Sequence, residues 1–324
     1  MKCYVCAQEN WHRTDLHTKS VIQVCKECGN LCHDIAPDRD AKMADYYRKE
    51  YREAPNHNNL ITTTNKLQYL QILLGDFLKD KKGLVCGDVG AATGYLLNWL
   101  RQQGHKVTGC EYTVTFRRMS EHFYGIPLTD ELETKHKYDL ITIYHVLEHM
   151  TEPNKQLEKY KAMLSENGAM LVSTPTYMDI LEQNCGSPIV HNKHKSGQDA
   201  FENWYHKDHI NLFSLQSLPN LFRKGGLGVT TQNITLYGQS YLLKAGNQID
   251  IQPEDWREVV DKVSRQREAI NLYFAGKQEQ AIKMWPDFPE AWARLIFVTY
   301  GKDPDRQADM IASLPPRMAG HHRI

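Results

Sequence analysis

Leu84-Val85-Cys86-Gly87-Asp88-Val89-Gly90-Ala91-Ala92-Thr93-Gly94-Tyr95-Leu96-Leu97 is the stretch whose reading decides the fold. An apolar run enters a glycine-spaced turn and leaves as a helix former, which predicts a buried strand, a tight loop and a helix. Gly90 and Gly94 let the backbone turn sharply and lie close to a ligand. The next apolar run, Lys106-Val107-Thr108-Gly109-Cys110, ends in Glu111. An acid at the tip of the second strand of a βαβ unit can accept the hydroxyls of a ribose. Together these residues predict a nucleoside pocket at the carboxyl edge of a parallel sheet.

The glycine spacing separates candidate ligands. A dinucleotide fingerprint needs G-x-G-x-x-G, and Gly87, Gly90 and Gly94 do not fit it. What stands is acid-x-Gly-x-x-x-Gly from Asp88. This resembles motif I of the class I S-adenosylmethionine (SAM)-dependent methyltransferases, acid-x-Gly-x-Gly-x-Gly, with Ala92 in place of the middle glycine. The resemblance implies a Rossmann-like, seven-stranded α/β domain. It also implies SAM held by Asp88, Gly90, Ala92, Gly94 and Glu111, on a loop slightly displaced by the Ala92 methyl group.

Length, charge and cysteine use bound the alternatives. The 324 residues suffice for one large domain or two to three smaller ones. The 39 basic and 39 acidic residues cancel, so the overall footprint of a nucleic-acid binder is absent. No apolar run approaches the ~20 residues of a membrane span. Met1-Lys2-Cys3-Tyr4-Val5-Cys6 lacks the apolar core of a signal peptide. A reducing cytoplasmic compartment is the expectation, and eight cysteines then read as thiols or metal ligands.

Cys3-x-x-Cys6 and Cys25-x-x-Cys28 match the spacing of a four-cysteine zinc site. Each pair forms a knuckle with two thiolates on one side, and two knuckles complete a tetrahedron. A redox pair is the competing reading, but neither motif lies in a thioredoxin-like context. Cys32 and His33 are nearby substitutes. A closed four-thiolate site leaves no open position, so it is read as structural. Beyond it come Pro37 and a polar helical stretch with Tyr46, Tyr47 and Tyr51. That order resembles a subgroup of sugar and natural-product methyltransferases in which a zinc ribbon precedes the class I domain. By that resemblance the tyrosine helix lies over the cofactor; equally, the tyrosines can serve only to pack the ribbon onto the domain. The expected organisation is a ribbon at 1–36, a helical linker at 37–80, a methyltransferase domain at 81–246 and a helical C-terminal region at 250–324.

Tyr138-Asp139-Leu140-Ile141-Thr142-Ile143-Tyr144 reads as a further strand, followed by His145-Val146-Leu147-Glu148-His149. Pro153 is placed for the first turn of a helix running to about Leu164, and Asn167-Gly168 turns the chain into Ala169–Pro175. Strand, loop, helix and strand with short connections form a right-handed parallel crossover. His145-x-x-Glu148-His149 also fits H-x-x-E-H, a zinc peptidase motif that needs both histidines on one helical face. Here the five residues leave a buried strand before any helix begins. The segment instead resembles strand 4 of the same methyltransferase subgroup, which implies that Tyr144 and His145 lie beside the sulfonium. His209-Ile210-Asn211-Leu212-Phe213-Ser214 resembles the family's His-x-x-x-Phe-Ser segment before its last helix. Two β-type runs, 229–236 and 239–244, suit a closing antiparallel hairpin.

Methyl transfer requires an aligned nucleophile and, for a hydroxyl, amine or carbon acid, a base active near neutral pH. Histidine is the natural candidate. His149, then His145, then His209 are the candidates in order, each with a structural alternative, and Glu148 can orient a histidine or hold an acceptor hydroxyl. Tyr177–His209 reads as an acceptor lid. Glu254–Phe274, Glu279–Trp285 and Pro289–Tyr300 read as helices with a faint tetratricopeptide likeness. Too few repeats fit for an independent array, so they pack on the main domain or on a second subunit. The resemblance implies a small-molecule acceptor, with a nucleotide-linked sugar first. A macromolecule docked by ribbon and tail, and a regulatory SAM-binding module that has lost transfer, are the other readings.

Overall fold

The computed structural model describes residues 2–16, 20–34, 70–175, 209–235, 238–246 and 255–286, with single positions at 67, 196, 291, 295, 296, 298, 299, 303 and 306. The predicted tyrosine helix and, apart from Ser196 and His209, the predicted lid lie outside the described residues. So does most of the predicted helix at 289–300.

Three short strands come first: β1 (Trp11–Thr14), β2 (Ile22–Cys25) and β3 (Leu31–His33). The main sheet then begins with β4 (Val85–Val89), helix α1 (Tyr95–Gln102), β5 (Lys106–Cys110) and helix α2 (Val114–Tyr124). It continues through β6 (Tyr138–Tyr144), helix α3 (Pro153–Met163) and β7 (Leu164–Thr174). A two-residue strand β8 (Asn211–Leu212), helix α4 (Ser217–Lys224) and the strands β9 (Leu227–Thr235) and β10 (Gly238–Ala245) follow. Helices α5 (Trp256–Phe274) and α6 (Gln278–Met284) come last.

The six-stranded main sheet has the order β5-β4-β6-β7-β10-β9. Its first four strands pair in parallel and its last two antiparallel. Leucines 96, 97 and 100 bury one side of α1, and β6 is buried along most of its length, as a strand covered on both faces must be. From β4 the chain steps outward to β5 and then returns across β4 to β6, so the strand order reverses there. Open α/β sheets bind ligands at the carboxyl ends of strands at such a reversal.

Among the described residues the main sheet has six strands where seven are expected, and one isolated parallel bridge, Cys110–Thr129, extends the open edge of β5. Pro127, two residues before that bridge, has no N–H to give to a ladder. Strand β7 begins earlier than expected. Its pairing with β6 jumps from Tyr138–Leu164 to Leu140–Ala169, so the Asn167-Gly168 turn bulges within the strand.

A second, antiparallel sheet has the order β1-β2-β3-β8. Strand β8 joins the cysteine-rich segment to the main body through the pairs Leu31–Leu212 and Cys32–Asn211. The C-terminal helices pack on this sheet. Leu16, Ile22, Val24 and Leu31 share one apolar cluster with Val259, Val263, Ile270, Tyr273 and Trp285. Among the described residues no helix is long and apolar enough to cross a membrane.

Candidate active site

The glycine-spaced loop is held by the end of β5. Gly90 and Ala91 both donate their N–H groups to Cys110 O at 2.9 Å. Gly90 and Gly94 take φ of 71° and 77°, and neither has room for a side chain. A Cβ at Gly90 would stand 2.4 Å from Val146 Cγ2, and one at Gly94 2.2 Å from Ser120 Oγ. Ala92 also takes a left-handed φ, 48°. The substituted position therefore keeps the backbone shape that glycine favours, at a strain of about 1 kcal/mol.

Glu111 reaches back from the end of β5 across this loop. Its Oε2 accepts the Ala92 N–H at 2.9 Å and its Oε1 accepts the Thr113 N–H at 2.8 Å. Asp88, by contrast, is buried at the end of β4, where its Oδ1 accepts the Thr142 hydroxyl at 2.5 Å. Burial pushes its carboxyl from 3.8 up to about 7; the Thr142 bond works against that shift and the Glu111 charge adds to it. Thr142 was not among the sequence candidates, although a lone hydroxyl inside an apolar strand was a visible signal.

The second half of the site leaves β6. His145 has φ 55°, and its N–H bonds Ser173 O at 2.9 Å. Its ring lies 4.5 Å from that of Tyr144, centroid to centroid. Leu147–His149 form a 3-10 turn. Glu148 is 1% exposed, with His145 Nδ1 and His149 Nε2 each 3.9 Å from its Oε1. The His149 and His209 rings meet edge to face at 4.9 Å. The structure thus gathers all four acid/base candidates. The helix that a zinc peptidase needs is absent from 145–149, since only the last three of those residues turn, and in a 3-10 manner.

Asn211 builds this cluster and was also missed. From β8 its Nδ2 donates to Met150 O at 2.7 Å, which ties the segment carrying His209 to the turn carrying Glu148 and His149. The two half-sites touch, because Val146 lies against Gly90.

In the N-terminal segment the four predicted sulfurs converge. Cys3 Sγ and Cys28 Sγ are 3.6 Å apart, Cys6 Sγ and Cys25 Sγ 3.4 Å, and all four lie within 4.8 Å of one another. A tetrahedral zinc with bonds of about 2.3 Å sets its sulfurs roughly 3.8 Å apart, so the set fits that ion. The sulfurs govern one another's protons. Cys25 pulls the Cys6 thiol down and Cys28 draws Cys25 down to about 7, while Cys25 drives Cys3 and Cys28 up. Cys32 is a buried free thiol outside the group.

A family model described as a methyltransferase domain matches residues 47–232. A ubiquinone biosynthesis O-methyltransferase of Histophilus somni (strain 2336) is 31% identical over 124 residues, which cover 34% of this chain and 50% of that protein. The chain thus spans about half the length of the curated relative it matches. Among solved structures, magnesium protoporphyrin IX methyltransferase from Synechocystis PCC 6803 with bound SAM superposes with a TM-score of 0.45 at 13% identity, over 65% of this chain and 97% of that one. The 1,6-didemethyltoxoflavin-N1-methyltransferase of Burkholderia thailandensis gives 0.46 at 15% identity, over 72% and 97%.

Proposed function

The chain belongs to the methyltransferase-domain family, and from that premise we propose that it transfers a methyl group from SAM to a small-molecule acceptor, with a nucleotide-linked sugar or related metabolite as the first class to test. The observation that carries the reading is the contact between half-sites: the loop bearing His145, Glu148 and His149 lies directly against the loop bearing Gly90, Ala92 and Gly94. A cofactor held by the glycine loop would thus be bound next to the segment that carries the histidines.

SAM supplies an activated methyl group on a positive sulfur. The chain's share is to bind, align and take a proton. Glu111 would hold the ribose hydroxyls, since a carboxylate has about four acceptor positions and the two backbone N–H groups use two. Gly90 and Gly94 let the loop backbone approach the cofactor, Ala92 keeps the same path, and Tyr144 and His145 would border the sulfonium. Asp88 would shape the loop from beneath. A histidine beside Glu148 would take the acceptor proton as its nucleophile attacks the methyl carbon, and alignment would supply much of the rate. The four-cysteine group would hold a structural zinc that fixes the N-terminal sheet.

Titration calorimetry with SAM and with NAD tests the reading. Heat with SAM and none with NAD is expected. Glu111→Ala should weaken SAM by tenfold or more, in line with losing charge-assisted bonds. Unchanged SAM affinity in that variant refutes the ribose role, and no SAM binding by the wild type refutes the function.

A further inference from the structure

The histidine cluster contains a set of donors that methyl transfer by a base does not require. A Glu148 oxygen, a His149 nitrogen and a His209 nitrogen all lie within 4.8 Å of one another. Glu148 is 1% exposed, while the two imidazoles are part-buried. A carboxylate so far from water is favourable only among donors or cations. Two imidazoles and one carboxylate are borderline donors that suit zinc and its first-row neighbours. Bonds of about 2.0–2.2 Å put ligands on one ion roughly 3–4 Å apart, so modest side-chain rotation closes this triad.

The backbone is prepared for such a site. Glu148 and His149 sit in a 3-10 turn closed by the His149 N–H to Val146 O at 3.0 Å and the Met150 N–H to Leu147 O at 3.2 Å. The third donor arrives from a distant part of the chain, and Asn211 holds that part to Met150 O. Three protein donors leave a position open for a substrate oxygen.

We propose that Glu148, His149 and His209 bind one divalent first-row cation, and that its open position takes a hydroxyl oxygen of the methyl acceptor. This metal would lower the hydroxyl's pKa. With two histidines on the ion, His145 is left to receive the proton. The oxygen's electron pair then forms the bond to the methyl carbon, and the S–CH₃ pair returns to sulfur, leaving S-adenosylhomocysteine and a methyl ether. The catalytic part rests on the methyltransferase reading; the cation binding does not.

The test is cobalt(II) titrated into full-length protein whose cysteine site is already loaded with zinc. One equivalent should bind and give visible ligand-field bands without a thiolate charge-transfer band. Glu148→Gln and His209→Ala should each weaken cobalt by at least tenfold, and His136→Ala, an exposed position away from the cluster, should not. Calorimetry with SAM on the same samples separates the two claims. Absent cobalt bands, thiolate-type bands alone, or affinity unchanged in both triad variants overturns the cation site even where SAM binds. Cobalt bound as expected by a protein that does not bind SAM upholds the site and removes the methyltransferase reading. If Glu148→Gln does not fold, wild-type stoichiometry and His209→Ala decide the matter.

Discussion

At position 88 the fold keeps a carboxyl away from water, with Thr142 as its hydroxyl partner. Its pKa of about 7, against about 3.9 in an unfolded chain, means that the folded state binds the extra proton. That contribution to stability is complete below pH ~4 and is lost as pH rises through about 7, with a slope of up to about 1.4 kcal/mol per pH unit. Asn keeps a carbonyl for Thr142 and cannot ionise. Urea midpoints of Asp88→Asn between pH 5 and 8 should therefore be flatter with pH than those of the wild type; equal slopes would remove Asp88 as the source. The acid was legible in sequence because it stands before a glycine-spaced turn. Its burial was not, since that depends on Thr142 from a strand fifty-odd residues later. The same limit applies to Ala92. The substitution suggests a displaced loop; what the fold adds is that Ala92 takes a left-handed φ of 48°, as a glycine there would, and that its N–H is held by Glu111.

At the scale of elements, β6 and its exit loop carry three of the four candidate acid/base residues. The strand's bounds, Tyr138–Tyr144, match the apolar run, because a run buried on both faces announces itself by composition alone. Strand β8 has no such signal. Two residues carry no periodicity, and their partner β3 lies far back in the chain. Yet β8 delivers His209, and Asn211 within it clamps the turn bearing Glu148 and His149. Removing that clamp by Asn211→Ala should misplace His209 while leaving the glycine loop intact. The expected outcome is a kcat lowered tenfold or more, SAM affinity within about twofold of wild type, and a stability cost of about 1–2 kcal/mol. Undiminished kcat with the true acceptor would show that the cluster does not need its present geometry.

At the scale of the molecule, the segments at the two ends of the sequence share one core. The N-terminal sheet has short strands and cannot bury a large face by itself. Ile22, Val24 and Leu31 are covered instead by Val259, Val263 and Ile270 of α5, and His12 stacks on Trp256 at 4.7 Å. From sequence these helices read as an appendage, because a docking between residues so far apart leaves no local pattern. The cysteines face the other way. Cys3, Cys25 and Cys28 join the cluster that contains Phe213, Leu218 and Ile143, so the zinc-type group borders the main sheet. A structural zinc contributes folding energy directly and ties the two knuckles to each other. Cys25→Ser should lose the ion, lower the melting temperature by several degrees and, through the β3–β8 pairing, reduce activity as well. Metal analysis beside a thermal melt checks both ends of the chain of cause. Full zinc in the variant would deny the ligand role, while lost zinc with unchanged stability and turnover would mean that the ribbon does not support the site at all.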